Sequence, residues 1–523
     1  MLANSTSATL DVFVHSRSRI FPRTRPDQPQ TVPLSIADSS VVRFTTTATV
    51  LFYDAQGTAL LPEQLESSLK VTLDSYPQWA GQLEWAPYRP DGDHTERVGR
   101  VNLSYGTPSD PGVELVVASS PKHLAEFVPS PLERRSGSKC WNAGATPITT
   151  LLPDTDLPLH DLTNFRGLPG LMVQATSFAC GAVAIAVKMA HALADAHTLA
   201  RFTSDWAAVN RAMVAGAPVP ILSPVFDPSL LDRAAAGDID AASPDTVLVE
   251  RSRALPMHRY DWWTPTTDSP PDIPPGLEPT SAAPPGDPIP FADFDTGPSA
   301  HYLLHFTADE VRRMWEEARG ARAISRQDAL FAHVWMLINR ARGLEADGAA
   351  VHLNIMLGMR ARLAPPLPVS FVGSPLTIAR VSMPACEASS GLGTMAERIR
   401  ATVALFDAPA LAALLHDMAH DPALVRTWRA CLGRRNVVIT SWARLGMYEV
   451  DFGSGALPRY VEAVIPSTDG CVHIMEAAPT ASSTDGGRLK HWCDDGVDVS
   501  LYIAADVAER VLRDPMLRQY SDR

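Results

Sequence analysis

In "VKMAHALADAHTLARF" (188–203) His191 ends an apolar run, and Asp195 follows four residues later. A neutral imidazole is the usual general base near pH 7, and a carboxylate at this spacing could support it. Such a base could deprotonate a hydroxyl that attacks an activated carbonyl directly, with no serine or cysteine nucleophile. The chain has no G-x-S-x-G elbow and no papain-like cysteine context, so a covalent acyl-enzyme route has no support in the sequence. The H-x-x-x-D pattern is short. With fifteen histidines in the chain, chance supplies about one match. Three occur: His191/Asp195, His305/Asp309 and His491/Asp495.

Context separates the three. Asp309 falls in the first turn of a helix that Thr307 and Glu310 open as a capping box, where a carboxylate favours the positive end of the helix dipole. His491 lies in "LKHWCDDGVD", which reads as a solvated turn. His191 stands where a buried strand should end and a helix begin, a place where α/β proteins expose side chains to a crevice. Its small neighbours Ala190, Ala192, Ala194 and Ala196 let other groups approach the ring. A core or capping histidine is the alternative, and the spacing alone leaves both readings open.

The elements that must position these residues can be read from periodicity. "VVRFTTTATVLFY" (41–53) alternates apolar and polar residues and predicts a strand. Leu65, Leu69, Val71 and Leu73 form a helical stripe that Pro77 stops. Strands are expected at 98–105 and 112–118, a hairpin over 171–179 and 182–190, and a helix over 196–213. Prolines crowd 256–298, as in "TPTTDSPPDIPPGLEPTSAAPPGDPIP"; they fix φ and remove donors, so an extended linker is expected there. Beyond it come a strand ("HYLLHF"), the Thr307 helix, and a longer helix for which Ser325 is the expected N-cap. Strands at 351–357 and 374–382 and helices around 391–405 and 420–430 follow. The last strands are expected at 435–440, 459–465, 471–477 and 498–503. Strands and helices alternate in both halves, which makes the class α/β.

A chain of 523 residues is too long for one ordinary core, so two domains are expected. The expected boundaries are a first domain over 1–255, the linker over 256–300 and a second domain over 301–523. Lys+Arg 45 against Asp+Glu 58 gives a net charge of −13, which argues against nucleic acid or an anionic membrane surface as partner. The N-terminus has no h-region of signal-peptide length, and the most apolar segment, 171–190, is interrupted by Gln174, Gly181 and Lys188. Six scattered cysteines without a C-x-x-C pair suggest reduced thiols in the cytosol and no zinc site. The acid-rich stretch 485–498 lacks cation-loop spacing and reads as a solvated loop.

"HALADA" in this setting, followed far downstream by "ITSWARLGMYEVDFGSGALPR", resembles the BAHD acyl-CoA-dependent acyltransferases, and within them the fungal branch that includes trichothecene O-acetyltransferases. "LKVTLDSYPQWAGQL", "ISRQDALFAHVW", "GMRARLAPPLP" and "FVGS" agree in order and spacing, and the resemblance runs from about residue 34 to 505. It implies two chloramphenicol-acetyltransferase-like domains joined by a long crossover, with a channel between them that admits acyl-CoA from one face and the acceptor from the other. It implies His191 as general base. Asp195 would be turned away from substrate and paired with an arginine, Arg360 or Arg362. Thr440 and Trp442 would hold the acceptor oxygen and the tetrahedral intermediate. Asp451, Phe452, Gly453 and Gly455 would form a structural motif near the CoA channel, and Ser325 and Ser374 would be CoA contacts. Departures from the family pattern are Ala196 for glycine, Ser454 for tryptophan, Ser374 for asparagine and Gly358 for aspartate.

The resulting expectation is a cytoplasmic, monomeric O-acyltransferase. It would move an acyl group from acyl-CoA to a hydroxylated small secondary metabolite, with no bound cofactor or metal. An N-acyltransferase acting on a polyamine, a carrier-protein-dependent condensation enzyme and a non-catalytic binding protein are the rivals. Condensation domains usually carry two adjacent histidines, and here the first place is Ala190. Without the resemblance, Trp442 reads as core, Arg360 and Arg362 as surface arginines, and Ser325 as a helix cap.

Overall fold

The computed structural model describes residues 11–54, 58–146, 148–261, 286–290, 297–320, 323–389, 391–422, 424–479 and 491–521. Two large sheets organise the chain. The first has six strands in the order Phe13–Ile20, Val113–Ser120, Leu171–Phe178, Val183–Met189, Thr47–Tyr53 and Tyr460–Val464. The second has seven, in the order Leu376–Pro384, Ala350–Gly358, Asn436–Ser441, Cys471–Glu476, Val497–Ala504, Ser299–Phe306 and Cys140–Trp141. Each sheet therefore ends on a strand from the other half of the chain. Tyr460–Val464 pairs antiparallel with Thr47–Tyr53, and Cys140–Trp141 with Leu303 and Leu304. Antiparallel and parallel pairs are mixed in both sheets.

The hairpin forms as periodicity predicts, Leu171–Phe178 against Val183–Met189 with Gly181 at φ +83° in the turn. Positive φ is where glycine is favoured. The strand Val183–Met189 delivers His191 to a short turn, and Asp195 then caps the helix Ala196–Val214 by accepting Thr198 N–H at 3.0 Å. That helix buries Leu199, Phe202, Trp206 and Ala207 against the first core, beside Trp79 and Tyr76. Thr307 and Ser325 each form a full capping box, at the helices Ala308–Arg319 and Arg326–Ala341.

Two expected elements differ. Residues 41–46 are not strand. Ile36–Ser40 forms a short helix capped by Ser35, with Asp38 closing the capping box, and the chain turns through Val41–Phe44 before the strand Thr47–Tyr53 starts. Among the described residues of 420–430 there is no α-helix, only a single 3-10 turn at Leu424–Arg426. The helix is Ala408–Ala419, capped by Asp407 with proline in its first turn, and Thr427–Trp428 is instead a two-residue strand. It pairs with Tyr260–Asp261, which pairs in turn with Asp287–Pro288. The proline-rich segment thus begins and resumes as strand, while 262–285 and 291–296 of the expected linker, and 485–490 of the acid-rich stretch, lie outside the described residues.

The cores interlock across the halves. Leu231, Leu255 and Met257 are buried in the second core, whereas Trp442, Tyr448, Phe452 and Val461 are buried in the first. None of the six cysteines forms a disulfide. Among the described residues no single helix is long and apolar enough to cross a membrane.

Candidate active site

Where the two sheets meet, a cavity of about 580 Å³ opens, lined by residues of both halves. His191, Asp195 and His197 come from the turn and helix start of the first half, and Phe44 to Thr47 from the segment leading into the strand Thr47–Tyr53. The second half contributes Met356, Ile378, Thr440, Trp442 and Arg360. Of the three H-x-x-x-D pairs only His191/Asp195 lines this cavity. His305 is buried against Asp498, its Nδ1 2.8 Å from Oδ1, and Asp309 pairs with Arg312 on the helix surface. His491 Nδ1 lies 3.2 Å from the Arg326 guanidinium.

The His191 ring stands edge-on to Phe44, with centroids 5.4 Å apart, and Phe44 stands edge-on to Trp428 at 5.2 Å. Its Nδ1 lies 3.0 Å from Ser374 Oγ. Burial pulls the imidazole below its ordinary 6.5, and the nearby Asp195 charge offsets this only in part. The ring is therefore neutral at pH 7, the form a general base needs.

Asp195 faces away from that base function. Its two oxygens accept from the Arg360 guanidinium, one at 2.9 Å from Nη2, and Oδ1 also accepts Thr198 N–H. Burial raises the carboxyl, but Arg360 outweighs it and holds the group below the usual 3.8. Of the two arginines considered, Arg360 makes the pair; Arg362 donates to the carbonyls of Val403 and Phe406 at 3.3 and 3.4 Å.

Thr440 near the end of the strand Asn436–Ser441 and Trp442 just after it lie at the cavity wall, placed by parallel pairing of Thr440 with His473 and by the bond from Trp442 N–H to the Ile474 carbonyl at 2.8 Å. Trp442 is nearly buried and edge-on to His473, so the core reading and the cavity reading both describe it. The Asp451–Gly455 turn lies apart from the cavity lining. Asp451 Oδ1 accepts Gly453 N–H at 2.7 Å, Phe452 packs edge-on to Trp206, and Asn210 donates to the Phe452 carbonyl at 2.6 Å. Gly453 has φ +89°, and a Cβ there would sit 3.0 Å from the Arg211 backbone. The turn is thus clamped to the helix that Asp195 caps.

The two serines considered as CoA contacts are otherwise occupied. Ser325 Oγ caps its helix, donates to Asp328 at 2.8 Å and accepts from Arg400 at 2.9 Å. Ser374 is fully buried behind His191. Periodicity and motif spacing did not point to Asp38, Phe44, Thr198 or Trp428. The S-x-x-D box at Ser35–Asp38 was a visible helix-start signal, but its link to the site spans 336 positions.

Among the described residues, two clusters outside the cavity have cation-ligand chemistry: Asp93/His94/Asp240 and His491/Cys493/Asp494. In the first, both His94 ring nitrogens already face carboxylates, Asp240 at 2.8 Å and Asp232 at 3.3 Å. In the second, the Arg326 charge lies against both His491 and Cys493. Neither arrangement favours a metal ion.

A neutral base, a threonine and a tryptophan of the other half, and a largely apolar lining suit deprotonation of an attacking hydroxyl and stabilisation of an oxyanion. The family model described as the Transferase family matches residues 10–246 and 308–489. The chain is 27% identical over 479 residues to acyltransferase AFT15-1 of Alternaria alternata, covering 88% of each chain. It is 27% identical over 518 residues to acyltransferase abl6 of Leptosphaeria maculans, covering 97% of this chain and 98% of that one. In fold it is similar to F. sporotrichioides TRI101, whose crystal structure holds coenzyme A and T-2. That similarity has a TM-score of 0.63 at 16% identity and covers 94% of this chain and 99% of that one.

Proposed function

The chain belongs to the Transferase (BAHD) family of acyl-CoA-using acyltransferases, and from that membership we propose that it acylates a hydroxyl group of a small, largely apolar metabolite, with His191 as the general base. The observation that carries this reading is the position of His191. It is the one histidine of the three H-x-x-x-D pairs in the cavity lined by both halves of the chain, its ring is kept neutral by burial, and its Nδ1 is occupied by Ser374 behind it.

In this mechanism Nε2 of His191 takes the acceptor's hydroxyl proton while the oxygen attacks the thioester carbonyl carbon. The carbonyl π pair moves onto its oxygen, and the Thr440 hydroxyl or the Trp442 indole N–H donates to the oxyanion. Collapse breaks the C–S bond, and the imidazolium returns its proton to the sulfur of CoA. Asp195 acts through Arg360 as a brace. Cys471 lines the cavity, yet burial pushes its thiol up to about 12, which makes it a poor nucleophile. Direct transfer is therefore favoured over an acyl-cysteine.

The wall also discriminates between acceptors. Met356, Leu357, Leu376, Ile378, Leu432, Val438 and Ile465 are apolar, and among the described lining residues Asp195 is the single carboxylate, committed to Arg360. A polyamine would lose hydration there without gaining a counter-charge, so a neutral alcohol is favoured over a cationic amine. The test is a mass-spectrometric screen of acetyl-, malonyl-, longer-chain and aromatic acyl-CoAs against hydroxylated terpenoids, polyketides and alkaloids, with putrescine and agmatine included. Ester products are expected. Amide products from the polyamines alone would reverse the assignment.

A further inference from the structure

Three aromatic rings of the cavity lining stand in a row. His191 meets Phe44 and Phe44 meets Trp428, with centroids 5.4 and 5.2 Å apart and interplanar angles of 78° and 61°. These are edge-to-face contacts, the geometry that the ring quadrupole favours. Among the described residues Phe44 is the one aromatic ring against the base; the Trp442 ring meets His473 instead. Phe44 and Trp428 are both half-buried and both line the cavity. They reach it from distant parts of the chain. Phe44 ends the turn after the helix Ile36–Ser40, its N–H bonded to the Val41 carbonyl at 3.0 Å. Trp428 ends the strand Thr427–Trp428, where it pairs with Tyr260, and Tyr260 pairs with Asp287. The proline-rich segment therefore supplies the backbone against which Trp428 is set. A buried ion pair locks that backbone. Asp261 is 1% exposed and Arg426 8%, and the Arg426 guanidinium donates to both Asp261 oxygens, at 2.5 and 2.6 Å. Tyr260 is stacked in turn on His258, with centroids 5.1 Å apart.

We infer that Phe44 and Trp428 form the wall that selects the acceptor, with Trp428 as the specificity-determining side chain, and that this wall takes an alcohol carrying a flat ring beside its hydroxyl. A base takes its proton from an oxygen within about 3 Å of the ring nitrogen, so the carbon skeleton that bears the oxygen lies beside the imidazole. Phe44 is the ring already packed against that imidazole, and Trp428 extends the same surface by one more ring. The aliphatic lining, Met356, Leu376 and Ile378 among it, rewards any apolar body. Aromatic rings do more: their faces and edges favour a flat, unsaturated partner over a puckered one of equal size. Because the Asp261–Arg426 pair and the Tyr260 strand fix Trp428 from behind, the wall is a built surface rather than a side chain free to fold away.

The inference rests on the reading of this cavity as the site of transfer, and its test separates the two claims because binding is measured without acyl-CoA. The probes are 2-naphthalenemethanol, which is flat, and decahydronaphthalene-2-methanol, which has the same skeleton but is puckered. By titration calorimetry the full chain should bind the flat alcohol about 2- to 10-fold more tightly than the puckered one, the scale of an aromatic contact beyond its buried area. Trp428→Leu, which keeps apolar bulk, should abolish that preference, and Trp428→Phe should retain it. Phe44→Leu should also weaken it, and gives the reading should Trp428→Leu fail to fold. In parallel turnover assays, Trp428→Leu should raise KM for the flat alcohol by a similar factor and leave KM for acetyl-CoA and benzoyl-CoA unchanged. A wild type that binds neither alcohol, or both equally, overturns the inference, as does a folded Trp428→Leu variant with the preference intact. A change confined to KM for benzoyl-CoA also overturns it, because the wall would then lie beside the acyl group. The expected preferences in a protein that transfers no acyl group would uphold the wall and refute the transfer reading.

Discussion

Replacing Asp195 by alanine removes two supports at once. The carboxylate is 6% exposed and caps the 19-residue helix Ala196–Val214; loss of such a cap costs about 1 kcal/mol. It also leaves the Arg360 guanidinium, whose side chain is 11% exposed, without its counter-ion. Stranding one partner of a buried pair costs roughly 3–5 kcal/mol. Arg360 would keep the Thr198 hydroxyl and the Phe371 and Gly373 carbonyls as acceptors. Partial solvation of this kind places the second loss at the lower end, for a total of about 4 kcal/mol. Asp195→Asn keeps a capping oxygen and one acceptor for Arg360, so its cost should be about 2 kcal/mol. The readout is calorimetric melting of the four proteins of a double-mutant cycle: wild type, Asp195→Ala, Arg360→Leu and the double variant. The double variant should be less damaged than the sum of the singles. The pH dependence carries a sign. The folded-state pKa of Asp195 lies below its ordinary 3.8, so its contribution is complete above 3.8 and is lost as pH falls through the lower, folded value. The stability gap between wild type and Asp195→Ala should therefore be constant from neutral pH down to about 4 and narrow below it. Equal melting temperatures for wild type and Asp195→Ala, combined with a lost rate, would refute the brace and make Asp195 a direct participant.

Because burial lowers the His191 pKa from 6.5, kcat/KM should be flat through neutral pH and should fall on an acidic limb whose midpoint lies below 6.5; a midpoint above 7 would contradict a buried, neutral base. Thr440→Val removes one hydroxyl from the cavity wall and should lower kcat by about 100-fold if that hydroxyl serves the oxyanion, while a rate within two-fold of wild type would pass the role to Trp442. Gly453→Ala introduces a Cβ at positive φ against the Arg211 backbone and should destabilise the chain by roughly 1–2 kcal/mol, read by calorimetry, with KM and kcat of the surviving folded enzyme nearly unchanged.

Local signals in the sequence foretold the elements that depend on local signals. The hairpin over 171–189 and the helix after Asp195 follow from alternation, from a turn glycine and from a capping aspartate, all within a few residues of one another. Where a partner lies far along the chain, periodicity misleads. Val41 and Val42 look like strand residues, yet they close a turn because Asp38 is drawn to Ser374 and Ile36 N–H to Asp232. Thr427–Trp428 becomes strand because Tyr260–Asp261 lies beside it and the Asp261 carboxylate binds Arg426. The helix Ala408–Ala419 carries local start signals, an aspartate cap and a first-turn proline. In the site, the H-x-x-x-D spacing and the strand–helix junction mark His191 and Asp195, while the family resemblance names the arginine only as Arg360 or Arg362. Neither could mark Ser374 as a partner of His191, since a small buried serine carries no pattern and the contact joins residues 183 positions apart.

The central claim is that His191 is the base of an acyl transfer, and one comparison tests it most directly. Wild type and His191→Ala are assayed with the acyl-CoA and alcohol pair found by the screen, by following ester formation, with His305→Ala and His491→Ala as controls. The account predicts that His191→Ala lowers kcat by at least about 100-fold while its melting temperature and circular dichroism match wild type, and that the two controls retain most of the rate. A His191→Ala protein that is folded and transfers the acyl group at close to the wild-type rate would contradict the account.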